Sequence, residues 1–406
     1  MDNSQAKSSG LTIILVLAVL SIFPPLATDM YLSAFGQMQA YLHAPAGAME
    51  LSLSVFFLGL CVGQLLVGPV IDRFGRKLPL LLGTSIFCVT TAILLVTTSA
   101  QVFIGLRFVQ ALGACVGMVV GRAVVTDLYS GRAAARTMTL LVMLMTLGPV
   151  VSPLMGGVLV THFGWKSVFV TMLIIGAMAL AMTWALLPET LPTSQRRKAP
   201  LSREAGVYLK LLTTRSFCVP ALVGSFVQAA MFSFITASSN VFQGVMGLDE
   251  IAYGLAFGFV AFGLVVASFL NNWLLKKYPA ILIINRVLPL FVLVSGVLFV
   301  ISNTHSLWVL LLPLWFSIAL IGLLSANCTS TAMEAARSMS GVGSALVGAL
   351  QFGLAFVCSG IVASIIGASA RPLALGVLIP SLIALALWKA FQHSDSYRQP
   401  HAEQRE

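Results

Sequence analysis

Charge is what this sequence has least of. Only 9% of its 406 residues are Asp, Glu, Lys or Arg, against 58% hydrophobic, whereas a soluble globular chain carries about 25% charged residues. So few charges cannot clothe a water-facing surface, and with a mean hydropathy of +0.98 the surface must meet lipid. The six cysteines, Cys61, Cys88, Cys115, Cys218, Cys328 and Cys358, stand singly in or beside apolar stretches. None forms a C-x-x-C pair, which argues against a zinc site or redox motif and makes them small hydrophobes of packed helices. The five histidines, His43, His162, His305, His393 and His401, fall in loops or the tail, so no histidine relay crosses the apolar stretches. No H-E-x-x-H, G-x-S-x-G or Cys/His pair occurs, which tells against a membrane-embedded enzyme. A nucleotide-binding loop is missing as well, so ATP is not expected to drive the protein directly, and no cofactor or metal is expected.

What is present is a series of apolar runs, and a helix needs about 20 such residues to cross the hydrocarbon core. They lie at 11–34, 50–71, 78–98, 101–124, 137–160 and 165–187, then at 217–238, 251–273, 280–301, 307–328, 342–367 and 371–391. The first is too long for a signal-peptide core and lacks a convincing cleavage site, so it is read as a retained helix. The fold class is therefore an all-α membrane protein of twelve transmembrane helices. Residues 188–216 are the only long polar stretch, and Arg196, Arg197 and Lys198 beside Pro192 and Pro200 read as a solvated linker. It divides the chain into a first bundle, 1–187, and a second bundle with its tail, 217–406. With the N-terminus inside, the inner segments hold 19 Lys and Arg, and the outer loops only Lys166 and Arg371. Such an excess marks the cytoplasmic side, so both termini are placed in the cytoplasm. The formal charge of +10 then reflects orientation and not a nucleic-acid surface.

Two loops at matching places point to duplication. Gly68 to Lys77 and Ser268 to Lys277 each start with a small residue, align Asp72 with Asn272, and end in a basic pair, as internal repeats in secondary transporters would. Ionisable residues inside the spans are few, and each is costly there. Asp29 follows Pro24-Pro25, which must disturb the first helix, and Arg107 lies at a similar depth in the fourth span. Either Asp29 takes up and releases a proton while Arg107 and Gln110 tune it, or the acid is a static ion pair or reaches outer water. Glu50 opens the second span and is expected to be solvated. Arg122, five residues before Asp127, either snorkels to the interface or joins an inner gate. Gly148, Pro149, Pro153, Gly156 and Gly157 interrupt the fifth span, serving either a moving hinge or close static packing. Tyr31, Gln228, Phe232, Phe234 and Gln351, together with Asp29, Arg107 and Gln110, suit a substrate cavity of apolar walls with a few polar groups.

The decapeptide Gly68 to Lys77 fits G-x-x-x-D-R-x-G-R-K and resembles the loop signature of the major facilitator superfamily. Arg107 to Gly113 resembles the R-x-x-Q-x-x-G motif in the fourth helix of its drug:proton antiporters. Gly148-Pro149, Pro153 and Gly156-Gly157 resemble their glycine-proline-rich fifth helix, although Ser152 and Pro153 depart from the commoner G-P-x-x-G-G. Thr28 to Leu32 resembles the first-helix segment of the bicyclomycin- and chloramphenicol-resistance family, and the likeness continues at Pro188-Glu189-Thr190 and from Asn327 to Gln351. The resemblance implies two pseudo-symmetric six-helix bundles working as a monomer in the bacterial inner membrane. It also implies an inner-face latch of Gly68, Asp72, Arg73, Gly75, Arg76, Lys77 and Asp127, with Asp72 at the start of the eleventh span and Arg73 reaching Asp127. The function implied is proton-coupled export of small amphipathic drugs by alternating access, with a small molecule, protons and the bilayer as partners and no nucleic acid. A proton-coupled carrier for one metabolite, such as a nucleoside, is the alternative.

Overall fold

A computed structural model describes residues 3–196, 202–304 and 306–393. Arg197, Lys198, Pro200, His305, Arg398, His401 and Arg405 lie outside them, as do the side chains of Lys7 and Arg203. All regular structure in the described residues is helical, and twelve spans are long and apolar enough to cross a membrane. The first joins α1 (Asn3–Pro25) to α2 (Phe35–Tyr41) through a π-turn, Leu26–Met30, and a 3₁₀ turn, Leu32–Ala34. Then come α3 (Ala48–Phe74), α4 (Lys77–Val96), α5 (Ala100–Leu128), α6 (Gly131–Phe163) and α7 (Lys166–Leu186). A short α8 (Ser202–Thr213) precedes the second six: α9 (Arg215–Ser239), α10 (Glu250–Leu274), α11 (Ala280–Val300), α12 (Leu307–Ala335), α13 (Ser340–Ser364) and α14 (Arg371–Gln392).

Each apolar run became a helix, but the ends moved. Hydropathy reads only the lipid-crossing part, whereas a helix continues past the hydrocarbon edge because it satisfies its own backbone. Thus α6 begins at Gly131, and takes in Arg132 and Arg136, ahead of the expected 137. The linker is not solvated throughout. Leu211 of α8 is buried with Phe217, Ala221, Leu346 and Val347, and the Tyr208 hydroxyl donates to the Leu65 carbonyl at 3.4 Å. A stripe this short disappears in a window average that includes the polar face.

Lipid gives apolar helices no hydrophobic reason to associate, so small residues and close van der Waals contact hold them together. Between the two sets of six, α3 packs on α13 and α6 on α10. A Cβ on Gly157 would strike the Glu250 backbone, one on Gly254 the backbone of Pro153 and Leu154, and one on Gly258 the Val150 carbonyl. Among the described residues, the hydrogen bonds between the sets lie toward the end away from the basic loops. Gln37 Nε2 donates to Glu250 Oε1 at 3.2 Å, Gln243 Nε2 to the Ser33 carbonyl at 3.2 Å, and Ser359 Oγ to Ser54 Oγ at 2.8 Å. Toward the basic end α6 is the least buried span, with Val142 and Met143 more than half exposed. The bundle is pinched at one end.

Candidate functional site

The site begins where the first span breaks. Pro24 and Pro25 lack N–H donors, and the chain relaxes into the π-turn over Leu26–Met30. The Ala27 carbonyl accepts from Arg107 Nη2 of α5 at 2.6 Å. Asp29, in the same turn, is 2% exposed, and its Oδ1 has no hydrogen-bond partner. The buried Arg107 guanidinium lies 4.2 Å from the Tyr31 ring centroid and 4.3 Å from that of Phe56. Its Nη1 donates to Gln110 Oε1, and Gln110 Nε2 donates to Thr91 Oγ1 at 2.8 Å.

The expected pairing of Asp29 with Arg107 is therefore not made. The cation instead meets a carbonyl, an amide and two rings, with its Nε left without a partner, and a desolvated cation–π contact is worth about 2 kcal/mol. Tyr31, expected in a substrate cavity, is fully buried, with its hydroxyl 3.3 Å from Ser52 Oγ. Glu50 also departs from expectation. It is 4% exposed and its Oε2 has no partner. The cause is Gly47: at φ +81 it carries no Cβ, and one would strike the Ala363 carbonyl. This brings the start of α3 directly against the end of α13.

Toward the basic end, Phe57, Phe232 and Phe352 from α3, α9 and α13 form an aromatic layer, with centroid separations of 4.5, 5.6 and 6.5 Å. Past it, Gln228 Oε1 accepts from Ser325 Oγ at 3.0 Å, and Gln351 Nε2 donates to Thr329 Oγ1 at 3.5 Å. Aromatic walls with a few polar groups can hold an amphipathic molecule. Phe234 is not part of this layer. It is buried against Phe257 of α10 at 5.1 Å, inside the second set. Phe57 and Phe352 went unnoticed because nothing local separates them from the other phenylalanines.

At the basic end Arg76, and not Arg73, reaches Asp127, with Nε to Oδ2 at 2.9 Å. Arg76 also holds Asp72, with Nη1 to Oδ1 at 2.7 Å, so Asp72 pairs within its own loop and not at the start of α13. Gly75 explains the swap. Its φ of +90 turns the chain so that Arg76 points back into the loop, while exposed Arg73 lies over the Phe74 ring. Gly68, by contrast, has nothing within 4 Å of a built Cβ and allows no close approach. Lys77 Nζ donates to the Trp184 carbonyl at 2.8 Å. Sequence reasoning missed Thr190, whose hydroxyl donates to Asp127 Oδ2 at 2.9 Å. It also missed Glu189 as the loop's anchor. Burial would raise the Glu189 carboxyl, but the backbone N–H groups of Arg76, Leu191 and Lys77 and the Arg196 guanidinium hold it below its ordinary value. Burial likewise works against the Arg76 charge, and Asp127 and Asp72 overcome it and raise that pKa. The cluster braces the first set of helices to the segment after α7. Arg122 is exposed and takes part in none of its ion pairs.

In α6 a Cβ on Gly148 would strike Pro25, and one on Gly156 the Met30 carbonyl and Ser33. Together with Gly157 against Glu250, these glycines seat α6 on the broken first span and on the opposite set. Pro149 and Pro153 lie within the helix between them.

Residues 15–359 match the family profile of the Major Facilitator Superfamily. The chain belongs to that superfamily. Among curated relatives, it is 29% identical to a bicyclomycin resistance protein homolog of Haemophilus influenzae, covering 91% of this chain and 93% of that one. It is 28% identical to multidrug resistance protein D of Escherichia coli K12, over 88% of this chain and 89% of that protein. A chloramphenicol resistance protein of Pseudomonas aeruginosa is 30% identical over 66% of this chain and 64% of its own. Among solved structures, a D-xylose-proton symporter superposes with a TM-score of 0.74 at 16% identity, covering 93% and 97% of the two chains. A bacterial homologue of the human lysosomal transporter Spinster, in an inward-facing and occupied conformation, gives 0.72 at 17% identity, covering 97% of each. These two carry the fold alone. The resemblance to drug:proton antiporters of the bicyclomycin- and chloramphenicol-resistance type agrees with the relatives found, and the chain is a multi-pass membrane transporter, not an enzyme.

Proposed function

We propose that this transporter exports small amphipathic drugs across the bacterial cytoplasmic membrane in exchange for protons. Bundles 1–187 and 217–406, joined by 188–216, rock about the central interface, and the chain works as a monomer with both termini in the cytoplasm. The one-sided placement of Lys and Arg supports that orientation, and the drug-resistance relatives support the substrate class. With the basic loops inside, the pinched end faces outward and the interface parts toward the cytoplasm.

The observation that carries the proposal is Asp29. A buried carboxyl with an oxygen facing no donor suits the neutral acid far better than the anion. Rocking that brings water to the π-turn reverses the preference, so a change of shape becomes uptake or release of a proton. Arg107 fixes the turn without neutralising Asp29, because its own charge is spent on Ala27, Tyr31 and Phe56. The aromatic layer, with Gln228 and Gln351, offers the drug a surface shared by both bundles. The α6 glycines let that helix roll on the first span, and the Arg76 cluster keeps the first bundle rigid as it moves.

Expression in an efflux-deficient bacterium, with a compound panel scored for resistance, tests the substrate class. Loading of everted vesicles, with the proton gradient imposed and then collapsed, tests the coupling. Resistance that disappears with the gradient is expected. A growth defect on one metabolite when the protein is absent, without any resistance, would favour the metabolite carrier instead.

A further inference from the structure

Glu50 lies on a face of α3 that the drug-binding layer also uses. Residues 50, 54, 57, 61 and 64 recur at helical spacing, so they share one stripe. Four of them meet α13 of the opposite bundle. Ser54 Oγ accepts from Ser359 Oγ at 2.8 Å, Phe57 faces Phe352, Cys61 lies beside Gly353, and Gln64 beside Gly348. Glu50 is the last member of the stripe at the pinched end, just past Gly47, where α3 abuts the Ala363 carbonyl.

Its surroundings offer a negative charge little compensation beyond the start of α3 itself, where the residue's own backbone N–H meets the carboxyl. The residue is 4% exposed, its Oε2 has no partner, and no described cation lies within ion-pair distance. From the first span the group facing it is Tyr31, whose hydroxyl lies against Ser52. From α5 it is Arg107, held on the far side by the Tyr31 and Phe56 rings and by Ala27. The only titratable residue of α13 is Cys358, α4 and α9 carry no acid or base toward this end, and Tyr41 and His43, at the end of α2 and in the turn before α3, are exposed to solvent. Two helices from opposite bundles can therefore close over Glu50 at little electrostatic cost when it is neutral, and at a heavy one when it is ionised.

We propose that Glu50 is a second proton-binding residue, and that the outer end of the transporter closes only when its carboxyl is protonated. This rests on the proton-coupled reading above and extends it: Asp29 serves the central site, and Glu50 couples the outer interface to the external proton concentration. Parting of α3 from α13 hydrates the carboxyl and lets it ionise, and the ionised form holds the two helices apart. High external proton concentration then returns the protein to the inward-open state, ready for the next drug.

Spin labels at two exposed outer-end positions, Ala46→Cys and Ala368→Cys, in a background without the native cysteines, read the separation directly by pulsed dipolar spectroscopy in detergent. Drug-free protein is used, so the result does not depend on transport. The long-distance population is expected to rise at least threefold from pH 6 to pH 9, to stay low and flat in Glu50→Gln, and to remain pH-dependent in Glu50→Asp. The Asp29→Asn variant is expected to keep the shift. Loss of the shift in Asp29→Asn with its retention in Glu50→Gln would overturn the assignment, as would a pH-invariant wild type. If Glu50→Gln does not give monodisperse protein, the Asp29→Asn and Glu50→Asp arms decide in the same way. Failure of the proton-coupled reading shows separately, as gradient-independent vesicle loading.

Discussion

Replacing Arg76 with alanine strips the basic-end cluster of its centre, and its effect can be worked from the two ion pairs. Arg76 is 8% exposed and its partner Asp127 is 15% exposed. Removing one partner of a fully buried pair costs about 3–5 kcal/mol, because the other charge is left uncompensated. Asp127 keeps the Thr190 hydroxyl and some water, which brings its share to about 2 kcal/mol. Asp72 is 45% exposed, so solvent screening limits that pair to about 0.5 kcal/mol. At about 2–4 °C per kcal/mol for a unit of 150–250 residues, the sum lowers Tm by about 5–10 °C. Arg73→Ala removes an exposed side chain that lies over the Phe74 ring, and should move Tm by only about 1–2 °C. Thermal unfolding of detergent-purified protein, followed by intrinsic fluorescence at low salt, measures both. An Arg73→Ala loss equal to that of Arg76→Ala, or no loss in Arg76→Ala, would refute the reasoning.

Three other outcomes follow from the same geometry. Glu189 has a lowered native pKa, so its contribution is complete above the ordinary carboxylate value of 4.5 and fades as pH falls through the native one; thermal stability should drop below about pH 4.5, and Glu189→Gln should flatten that drop. Gly156→Ala puts a Cβ into the Met30 carbonyl, an overpacking cost of about 1–3 kcal/mol, and should lower both Tm and drug resistance, whereas Gly68→Ala enters open space and should change neither. Phe232→Ala should weaken binding of an aromatic drug about tenfold in a direct binding assay, as loss of a central aromatic anchor does, whereas Phe234→Ala should lower Tm and leave affinity nearly unchanged.

The spans were legible because lipid imposes a length and a composition on every crossing segment, and these survive in the sequence without any tertiary information. Asp29 and Arg107 were legible for the same reason, as charges where charge is expensive. What could not be read was partnership. The π-turn after Pro25 sets which carbonyl Arg107 finds, and no spacing rule announces such a turn. Arg73 and Arg76 differ only in standing before and after Gly75, and the sign of one φ angle decides which of them meets Asp127. Glu50 looked like an ordinary first-turn acid at the water boundary. Its burial depends on a neighbour some 300 residues away, Ala363, and on a glycine that lets the two backbones touch. The α8 stripe was hidden by the basic residues interleaved with it.

The central claim is that Asp29 carries the exchanged proton, and the most direct measurement is proton flux in proteoliposomes. Wild-type protein and Asp29→Asn are reconstituted with a trapped pH-sensitive dye, and drug is added on one side. The wild type should move protons against the drug, while Asp29→Asn should still exchange labelled for unlabelled drug with no drug-driven pH change. A pH change of wild-type size in Asp29→Asn would contradict the account.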